Sequence, residues 1–314
     1  WITSAYVQDE WKVRPALTVN YGLRYDGFTA FARQRQLSPR LNMIWEPLPG
    51  TTVHGGYARY LSPPPFELVG TETVAKFVGT TAMPAISSAD TPHAEQANYY
   101  DIGLQQKFVR RFTVGLDSYY KQSHDLIDEG QFGAPIILTP FNYAHGKQYG
   151  VELTGNFAGE VLSAYLNLAW QHAAGKTIDS SQFNFRPSDL RYLEQHYIHL
   201  DHEQQLTASG GASFAWLGNR FSTDFLLGSG LRATAMLPDG TSIPNGAHLP
   251  YYAQLNLGTS RVFQLGPGGT LTLRLDLINA LDKIYEIRNG TGVGVGAPQY
   301  GARRGLFLGV SKSL

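Results

Sequence analysis

The chain is dominated by segments in which apolar and polar side chains alternate. From Leu17 to Asp26, leucine, valine and tyrosine occupy the odd positions, while threonine, asparagine, glycine, arginine and aspartate occupy the even ones. The run from Thr270 to Leu277 follows the same rule, with leucine at every second position. Because successive side chains of a β-strand point to opposite faces, this pattern predicts strands with one apolar and one polar face.

About thirteen segments of this kind follow one another along the chain. Their approximate boundaries are 2–14, 16–31, 36–47, 51–61, 95–108, 112–127, 142–158, 161–175, 203–216, 220–233, 249–264, 270–287 and 300–314. A chain built in this way is expected to be all-β, with neighbouring strands antiparallel.

The connections between these segments alternate between short and long. Short turns are expected near 14–15, 47–50, 109–111, 159–160, 217–219 and 265–269. The long links are 62–94, 128–141, 176–202, 234–248 and 288–299. One link, 32–35, is brief although the alternation calls for a long one at that place. Tight turns at one rim and long loops at the other are typical of a transmembrane β-barrel, whereas a soluble sandwich has no reason to place every long loop on one side.

Aromatic side chains mark both ends of the predicted strands. One set stands beside the short turns: Trp11, Trp45, Phe108, Phe112, Trp216, Phe221 and Phe263. A second set stands toward the long links: Tyr25, Tyr60, Tyr100, Tyr120, Tyr149 and Trp170. Two such bands are what two membrane–water interfaces favour, so the pattern predicts two aromatic girdles.

Composition and charge narrow the function classes. The 25 basic and 25 acidic residues balance, so the basic excess of a nucleic-acid-binding protein is missing and no nucleic-acid partner is expected. There is no cysteine for disulfide or thiolate chemistry. The sequence holds no GxxxxGK[ST] or HExxH motif and no triad spacing, so we expect neither an enzyme nor a cofactor. The glycine-rich stretch 290–296 favours a flexible rim loop.

Several segments together resemble the TonB-dependent outer-membrane transporters. The resemblance covers almost the whole chain and keeps the order of the family, although each motif alone is weak. The segments that carry it are Ala5–Trp11 (AYVQDEW), Leu17–Asp26 (LTVNYGLRYD), Ser38–Asn42 (SPRLN), Gly56–Tyr60 (GYARY), Leu277–Glu286 (LINALDKIYE) and Gly305–Leu314 (GLFLGVSKSL).

The resemblance implies the architecture and the domain content. The fold would be an antiparallel transmembrane β-barrel of twenty-two strands, of which residues 1–314 form the C-terminal part with about thirteen strands. The plug domain and the short N-terminal segment that contacts TonB would lie upstream and are absent from this chain. An odd number of strands does not close such a barrel, so the first and last strands are each expected to have one unpaired side.

The resemblance also implies a function. The whole protein would be a receptor in the outer membrane of a Gram-negative bacterium for TonB-dependent active uptake of a scarce nutrient, with a ferric siderophore as the expected class. Its partners would be the TonB complex through the upstream region, the barrel-assembly machinery through the C-terminal strand, and outer-membrane lipid. A passive porin or substrate-specific channel remains the alternative.

Candidate ligand-binding residues lie in the long links. Aromatic side chains there could form a rim for an aromatic or metal-chelate ligand, or they could simply pack loop against loop. They are Phe66, Phe132, Phe183, Phe185 and Tyr192.

A histidine cluster adds two further candidates, His196 and His199. With His202 and a nearby carboxylate they could ligate zinc or contact haem. The alternative is a loop-to-strand junction that recurs in the family regardless of substrate, and on that interpretation no metal is held.

Overall fold

The computed structural model describes residues 1–69, 79–80, 91–108, 111–132, 137–181 and 185–313. The strands in chain order are β1 (Ile2–Arg14), β2 (Leu17–Thr29), β3 (Arg33–Leu48), β4 (Thr51–Ser62), β5 (Glu95–Phe108), β6 (Phe112–Phe132), β7 (Ile137–Ala158), β8 (Leu162–Ser181), β9 (Ile198–His199), β10 (Leu206–Trp216), β11 (Asn219–Gly228), β12 (Arg232–Met236), β13 (Ser242–His248), β14 (Tyr252–Gln264), β15 (Thr270–Ile278), β16 (Glu286–Asn289), β17 (Pro298–Tyr300) and β18 (Gly305–Ser313). One α-helix, α1, spans Pro187–Gln195, and short 3-10 turns span Phe66–Leu68 and Gly266–Gly268.

Fourteen of these strands form one antiparallel sheet, with thirteen of them in a continuous path, which confirms the predicted fold class. Its order is β1-β2-β3-β4-β5-β6-β7-β8-β10-β11-β14-β15-β18, and the short β9 pairs with the outer part of β8. Among the described residues β1 pairs only with β2, and β18 only with β15, so the sheet is open at both edges as expected. The described strands thus form an open sheet and not a closed barrel.

The apolar face of the sheet is not covered by a second sheet of the described chain. Register places Leu104, Leu116, Leu153 and Leu168 side by side across β5, β6, β7 and β8. Leu116 is 49% exposed, and the two further sheets of the described chain are the small hairpins β12/β13 and β16/β17. Because no second layer covers these leucines within the described chain, they fit a belt against hydrocarbon. The outward set predicted from sequence belongs here: Leu17, Leu23, Leu116, Leu168, Leu255 and Leu275.

Aromatic pairs occur at both ends of the strands. Beside a short turn, the rings of Phe108 and Phe112 stack at 6.0 Å between centroids. Toward the long links, Tyr120 and Tyr149 stack at 6.4 Å. No helix in the described part of the chain is long and apolar enough to cross a membrane.

The long links hold more regular structure than the sequence predicts. β6 and β7 continue through most of 128–141, 176–202 contains the end of β8 and α1, and hairpins fill parts of 234–248 and 288–299. The predicted strands at 220–233 and 270–287 are too long, since β11 ends at Gly228 and β15 at Ile278. Residues 228–233 are buried by other parts of the protein, so the pattern of one exposed and one covered face ends there. Asp125, with a φ of 54°, also interrupts the regular strand backbone.

Candidate functional site

The described parts of the long links 128–141, 176–202, 234–248 and 288–299 pack together at the outer ends of β6, β7 and β8, and we call them the outer loop assembly. Its interior is a cluster of side chains that are at most 3% exposed. The cluster consists of Leu126, Phe141, Tyr143, Phe185, Leu193, Ile198, Leu200 and Val293. These residues come from β6, β7, the segment 185–200 and the glycine-rich loop, so burial of apolar surface holds the loops in one arrangement.

Helix α1 supplies one wall of this cluster. Pro187 occupies its first turn, where the missing N–H of proline costs no hydrogen bond. Leu190 and Leu193, three residues apart, share one face and pack against the cluster. The helix therefore directs its remaining, polar face outward.

Glu203 is the centre of a buried ion-pair network. Its side chain is 0% exposed and accepts hydrogen bonds from Arg232 Nη2 at 2.5 Å and from the N–H of Ala173 at 2.9 Å. His199 Nδ1 lies 2.8 Å from the second carboxylate oxygen. Burial alone would raise the pKa of Glu203, but the hydrogen bonds from His199, Arg232 and Ala173 lower it below its usual value. Glu203 is therefore held as a carboxylate that joins three loop segments.

Asp201 forms a second network beside the first. It binds Arg288 and the N–H of Val295, the latter at 2.9 Å, and His202 Nδ1 lies 3.0 Å from its other oxygen. His202 also approaches Asp128 Oδ1 at 3.5 Å. Burial works against ionisation of Asp201, but the hydrogen bonds from His202 and Val295 and the charge of Arg288 bring its pKa below the usual value. The hydrogen bond to Asp201 raises the pKa of His202, which favours the imidazolium.

Asn245 joins the β12/β13 hairpin to both neighbouring loops. It is 0% exposed, and its amide nitrogen donates to the carbonyl oxygens of His199 at 2.8 Å and Val293 at 2.9 Å. Its amide oxygen accepts from the N–H of Val293 at 2.9 Å. The glycine-rich stretch is thus bound to the outer loop assembly at Val293, and the prediction of a flexible rim loop is wrong.

Gly292 offers a test of this contact. It has a φ of +95°, and a Cβ there would collide with Asn245 Oδ1. We expect Gly292→Ala to destabilise the docked loop by roughly 1–3 kcal/mol through strain, with the collision adding to that cost. Hydrogen exchange at the Val293 N–H is the measurement, and faster exchange is the expected result.

Gly240→Ala is the matched control for this variant. Gly240 has a similar φ of +84°, but no atom lies within 4 Å of the position of a Cβ. Gly240→Ala should leave hydrogen exchange at the Val293 N–H unchanged. Equal exchange in the Gly292→Ala and unmodified proteins would contradict the docking of this loop.

Phe66 lies apart from the buried cluster, in an aromatic group of its own. Its ring centroid is 5.5 Å from that of Phe28 and 5.7 Å from that of Phe31. Phe28 is buried, whereas Phe66 remains 45% exposed. Phe66 is therefore accessible at the outer rim, although the loop that follows it lies mostly outside the described residues.

The other candidates divide into buried and accessible residues. Phe185 belongs to the buried cluster, with its ring 5.2 Å from Phe141. His199 is held by Glu203. Tyr192 and His196 stack at 4.4 Å on α1 and its end, and His196 is exposed. Tyr192 itself is partly buried and packs against the cluster. The structure thus favours loop packing for Phe185, His199 and Tyr192, and accessibility for His196.

Two candidates yield less information. Phe132 closes β6 with its backbone paired to Ile137. Phe183 lies outside the described residues. For all seven residues, ligand contact stays a prediction.

Histidine and carboxylate groups converge at three places in the described chain. Within each group the possible ligand atoms lie within 4.8 Å of one another, and the groups are His172/His199/Glu203, His93/Asp125/Asp179 and Asp128/Asp201/His202. In the first and third groups an arginine already neutralises a carboxylate, so a metal ion would have to compete with Arg232 or Arg288. The expectation that no metal is held stays a prediction.

Sequence reasoning missed the residues that organise this region. Arg232, Arg288, Asn245 and Asp128 carry no local motif, and each meets its partner from a different loop. The two charges of such a pair can lie far apart in the chain. Asp201 and Arg288, for example, are separated by 87 residues.

Comparison with known proteins identifies the family. The family described as TonB dependent receptor-like, beta-barrel, matches residues 2–280. The chain belongs to this family. As a TonB-dependent receptor barrel it is a non-enzymatic protein of the Gram-negative outer membrane, as the sequence predicts. No curated protein gives a significant match.

Solved structures show the same barrel fold. The FrpB iron transporter from Neisseria meningitidis has a TM-score of 0.67 and 16% identity, with 98% of this chain and 44% of that chain covered. FpvA from P. aeruginosa, bound to heterologous pyoverdines, has a TM-score of 0.65 and 12% identity, with 98% of this chain and 37% of that chain covered. The copper transporter OprC has a TM-score of 0.69 and 12% identity, with 98% of this chain and 47% of that chain covered. The chain thus spans less than half the length of each of these relatives.

Proposed function

We propose that this chain is part of an outer-membrane receptor for TonB-dependent active uptake of a scarce nutrient, with a ferric siderophore as the substrate class. Membership of the TonB-dependent receptor family is the observation that carries the proposal. The whole protein would bind its ligand at the outer rim and release it inward when TonB acts on a plug domain upstream of this chain.

The structural neighbours support iron as the transported element. FrpB is described as an iron transporter, and FpvA is described as bound to pyoverdine with iron. OprC is described as a copper transporter, so copper is the first competing substrate to test. The second alternative is a passive channel, which would need neither TonB nor a tight ligand.

The outer loop assembly is consistent with a receptor. Its buried cluster and its two carboxylate networks hold the loops in one arrangement, and a pre-formed surface loses less entropy when a ligand binds. On that surface His196 is exposed and stacks on the partly buried Tyr192, and Phe66 is exposed in its own aromatic group. An aromatic and imidazole surface of this kind suits a flat, partly aromatic chelate.

The first experiment measures uptake by the full-length protein in cells with and without TonB. Radiolabelled iron is supplied as a panel of ferric siderophores, and copper and haem are supplied separately. We expect saturable uptake of a ferric chelate that disappears without TonB. Uptake that persists without TonB would favour the passive channel. Uptake of copper alone would identify copper, and not iron, as the transported element.

The second experiment locates the ligand site. His196→Ala should weaken binding of the transported chelate about tenfold, the effect of losing roughly 1.4 kcal/mol of contact. The matched control is His248→Ala, which alters another exposed histidine beside a tyrosine ring, that of Tyr251 at 5.7 Å. Equal affinities in both variants and in the unmodified protein would show that the site lies elsewhere.

Point substitutions are preferable to deletion of the long link 176–202. That link contains Ile198 and Leu200 of the buried cluster and also Asp201. Deleting it would disrupt the outer loop assembly itself, and a loss of binding would then say nothing about which residues touch the ligand.

A further inference from the structure

Three rows of side chains cross β6, β7 and β8 where these strands leave the apolar belt. Each row joins residues that face one another in register. The first row is Tyr120, Tyr149 and His172; the second is Gln122, Lys147 and Ala174; the third is His124, His145 and Lys176. The rows thus change from aromatic to cationic in the direction of the long links.

These rows lie on the lipid-facing side of the sheet. The pairing of β6 with β7 and of β7 with β8 runs without a shift from the leucine row at Leu116, Leu153 and Leu168 to the third row. Every residue in the three rows is an even number of positions from the leucine in its own strand. Strand side chains alternate between faces, so the rows share the face of the leucines.

The aromatic row fixes the level of the membrane surface. The ring of Tyr149 lies 6.4 Å from Tyr120, 5.9 Å from Trp170 and 5.0 Å from His172. Tyrosine and tryptophan gather where hydrocarbon meets headgroups. The two rows beyond this band therefore stand at the depth of the outer-leaflet headgroups.

Two lysines in these rows have no carboxylate partner. The ammonium groups of Lys147 and Lys176 lie 4.4 and 6.0 Å from the centroid of the Tyr197 ring, and no carboxylate of the described chain is within 4.0 Å of either. On the opposite face of β6, by contrast, Lys121 lies 2.6 Å from Glu95. The inward lysine is neutralised within the protein, whereas the outward pair is free to meet an external anion.

We propose that Lys147 and Lys176, which both lie beside the Tyr197 ring, bind the phosphate groups of a phosphorylated glycolipid in the outer leaflet. The lysines supply the charge, and the Tyr197 ring holds both ammonium groups on one side of the sheet. The aromatic row below would contact the start of the acyl chains. His124 and His145 lie in the same row as Lys176, and His172 lies in the aromatic row.

The test is a lipid titration of the purified full-length protein in detergent. The probe is bisphosphorylated lipid A, and bound lipid is counted by native mass spectrometry. The double variant Lys147→Gln and Lys176→Gln should bind this lipid about 10- to 30-fold more weakly, since each lysine near an anionic surface contributes roughly tenfold or less. Unchanged affinity in this variant would overturn the proposal.

The matched control is Arg261→Gln. Arg261 lies on the same outward face of the sheet, 5.3 Å above the Phe263 ring, but beside the short turns. A cation at the opposite membrane surface should not affect this lipid. An equal loss of affinity in the control would show that binding follows total charge rather than this patch.

Two further arms identify the source of the phosphate. Lipid A without phosphates should bind the unmodified protein weakly, with about the affinity that bisphosphorylated lipid A has for the double variant. If the unmodified protein bound both lipids equally well, the proposal would be contradicted. Inorganic phosphate should not displace the bisphosphorylated lipid at similar concentration, and displacement would identify free phosphate as the ligand. This site depends on the outer-membrane location and is independent of which nutrient the protein carries.

Discussion

Replacing Glu203 with alanine is expected to have the largest effect on the outer loop assembly, costing about 3–5 kcal/mol of its stability. The substitution leaves the guanidinium of Arg232, only 7% exposed, without its carboxylate. It also removes the acceptor for the N–H of Ala173 and the partner of His199. Unpaired buried charge is penalised far more than an exposed one, because nothing replaces its lost solvation.

Hydrogen exchange measures this effect locally. The amides of Ala173, Leu200 and Glu203 should lose protection, while the amides of the sheet below should keep theirs. The control is Glu160→Gln, because Glu160 pairs with Arg111 at 3.3 Å in a turn where its side chain is 89% exposed. Such a pair is screened by water, so little change is expected. If Glu203→Ala left protection intact, the network would not be what holds the loops together.

A charge on the lipid-facing surface is expected to have the second largest effect. Leu275→Arg should destabilise the barrel by about 2–4 kcal/mol, the penalty for arginine near the bilayer midplane. Leu275 faces Leu308 in the next strand and is 41% exposed on the leucine side of the sheet. In lipid that exposed surface contacts hydrocarbon, which cannot solvate a guanidinium.

Thr272→Arg is the control on the other face of the same strand. Thr272 stands beside Arg274 in the alternation, so the barrel already accepts an arginine on that side. The full-length protein is unfolded with denaturant in lipid vesicles, and the free energies of unfolding are compared. Equal losses for both variants would mean that the faces have been assigned the wrong way round.

Sequence alone determined the wall of this protein. Lipid on one side and water or protein on the other impose a period of two along every strand that crosses the bilayer. The boundaries of β1 and β5 were therefore predictable to the residue, and the order of the thirteen long strands followed from their short and long connections. The family motifs in Ala5–Trp11 and Leu17–Asp26 lie within the same strands.

The candidate site could be predicted only in part. The sequence marked Tyr192 and His196 as candidates; the structure leaves His196 exposed and packs Tyr192 against the buried cluster. It also marked Phe185 and His199, which the fold uses inside the outer loop assembly. An aromatic residue in a long link has the same local pattern in both roles, because burial depends on which other loop covers it.

Tertiary structure decided what the loops and the lipid-facing lysines do. Asp201 meets Arg288 and Asn245 meets Val293 only because loops that are far apart in the chain converge at one rim. Likewise, alternation places Lys147 and Lys176 on the outer face, but only the register between strands sets both beside Tyr197. Period two is a local property that each strand carries by itself, whereas ion pairs and surface patches depend on the three-dimensional positions of separate segments.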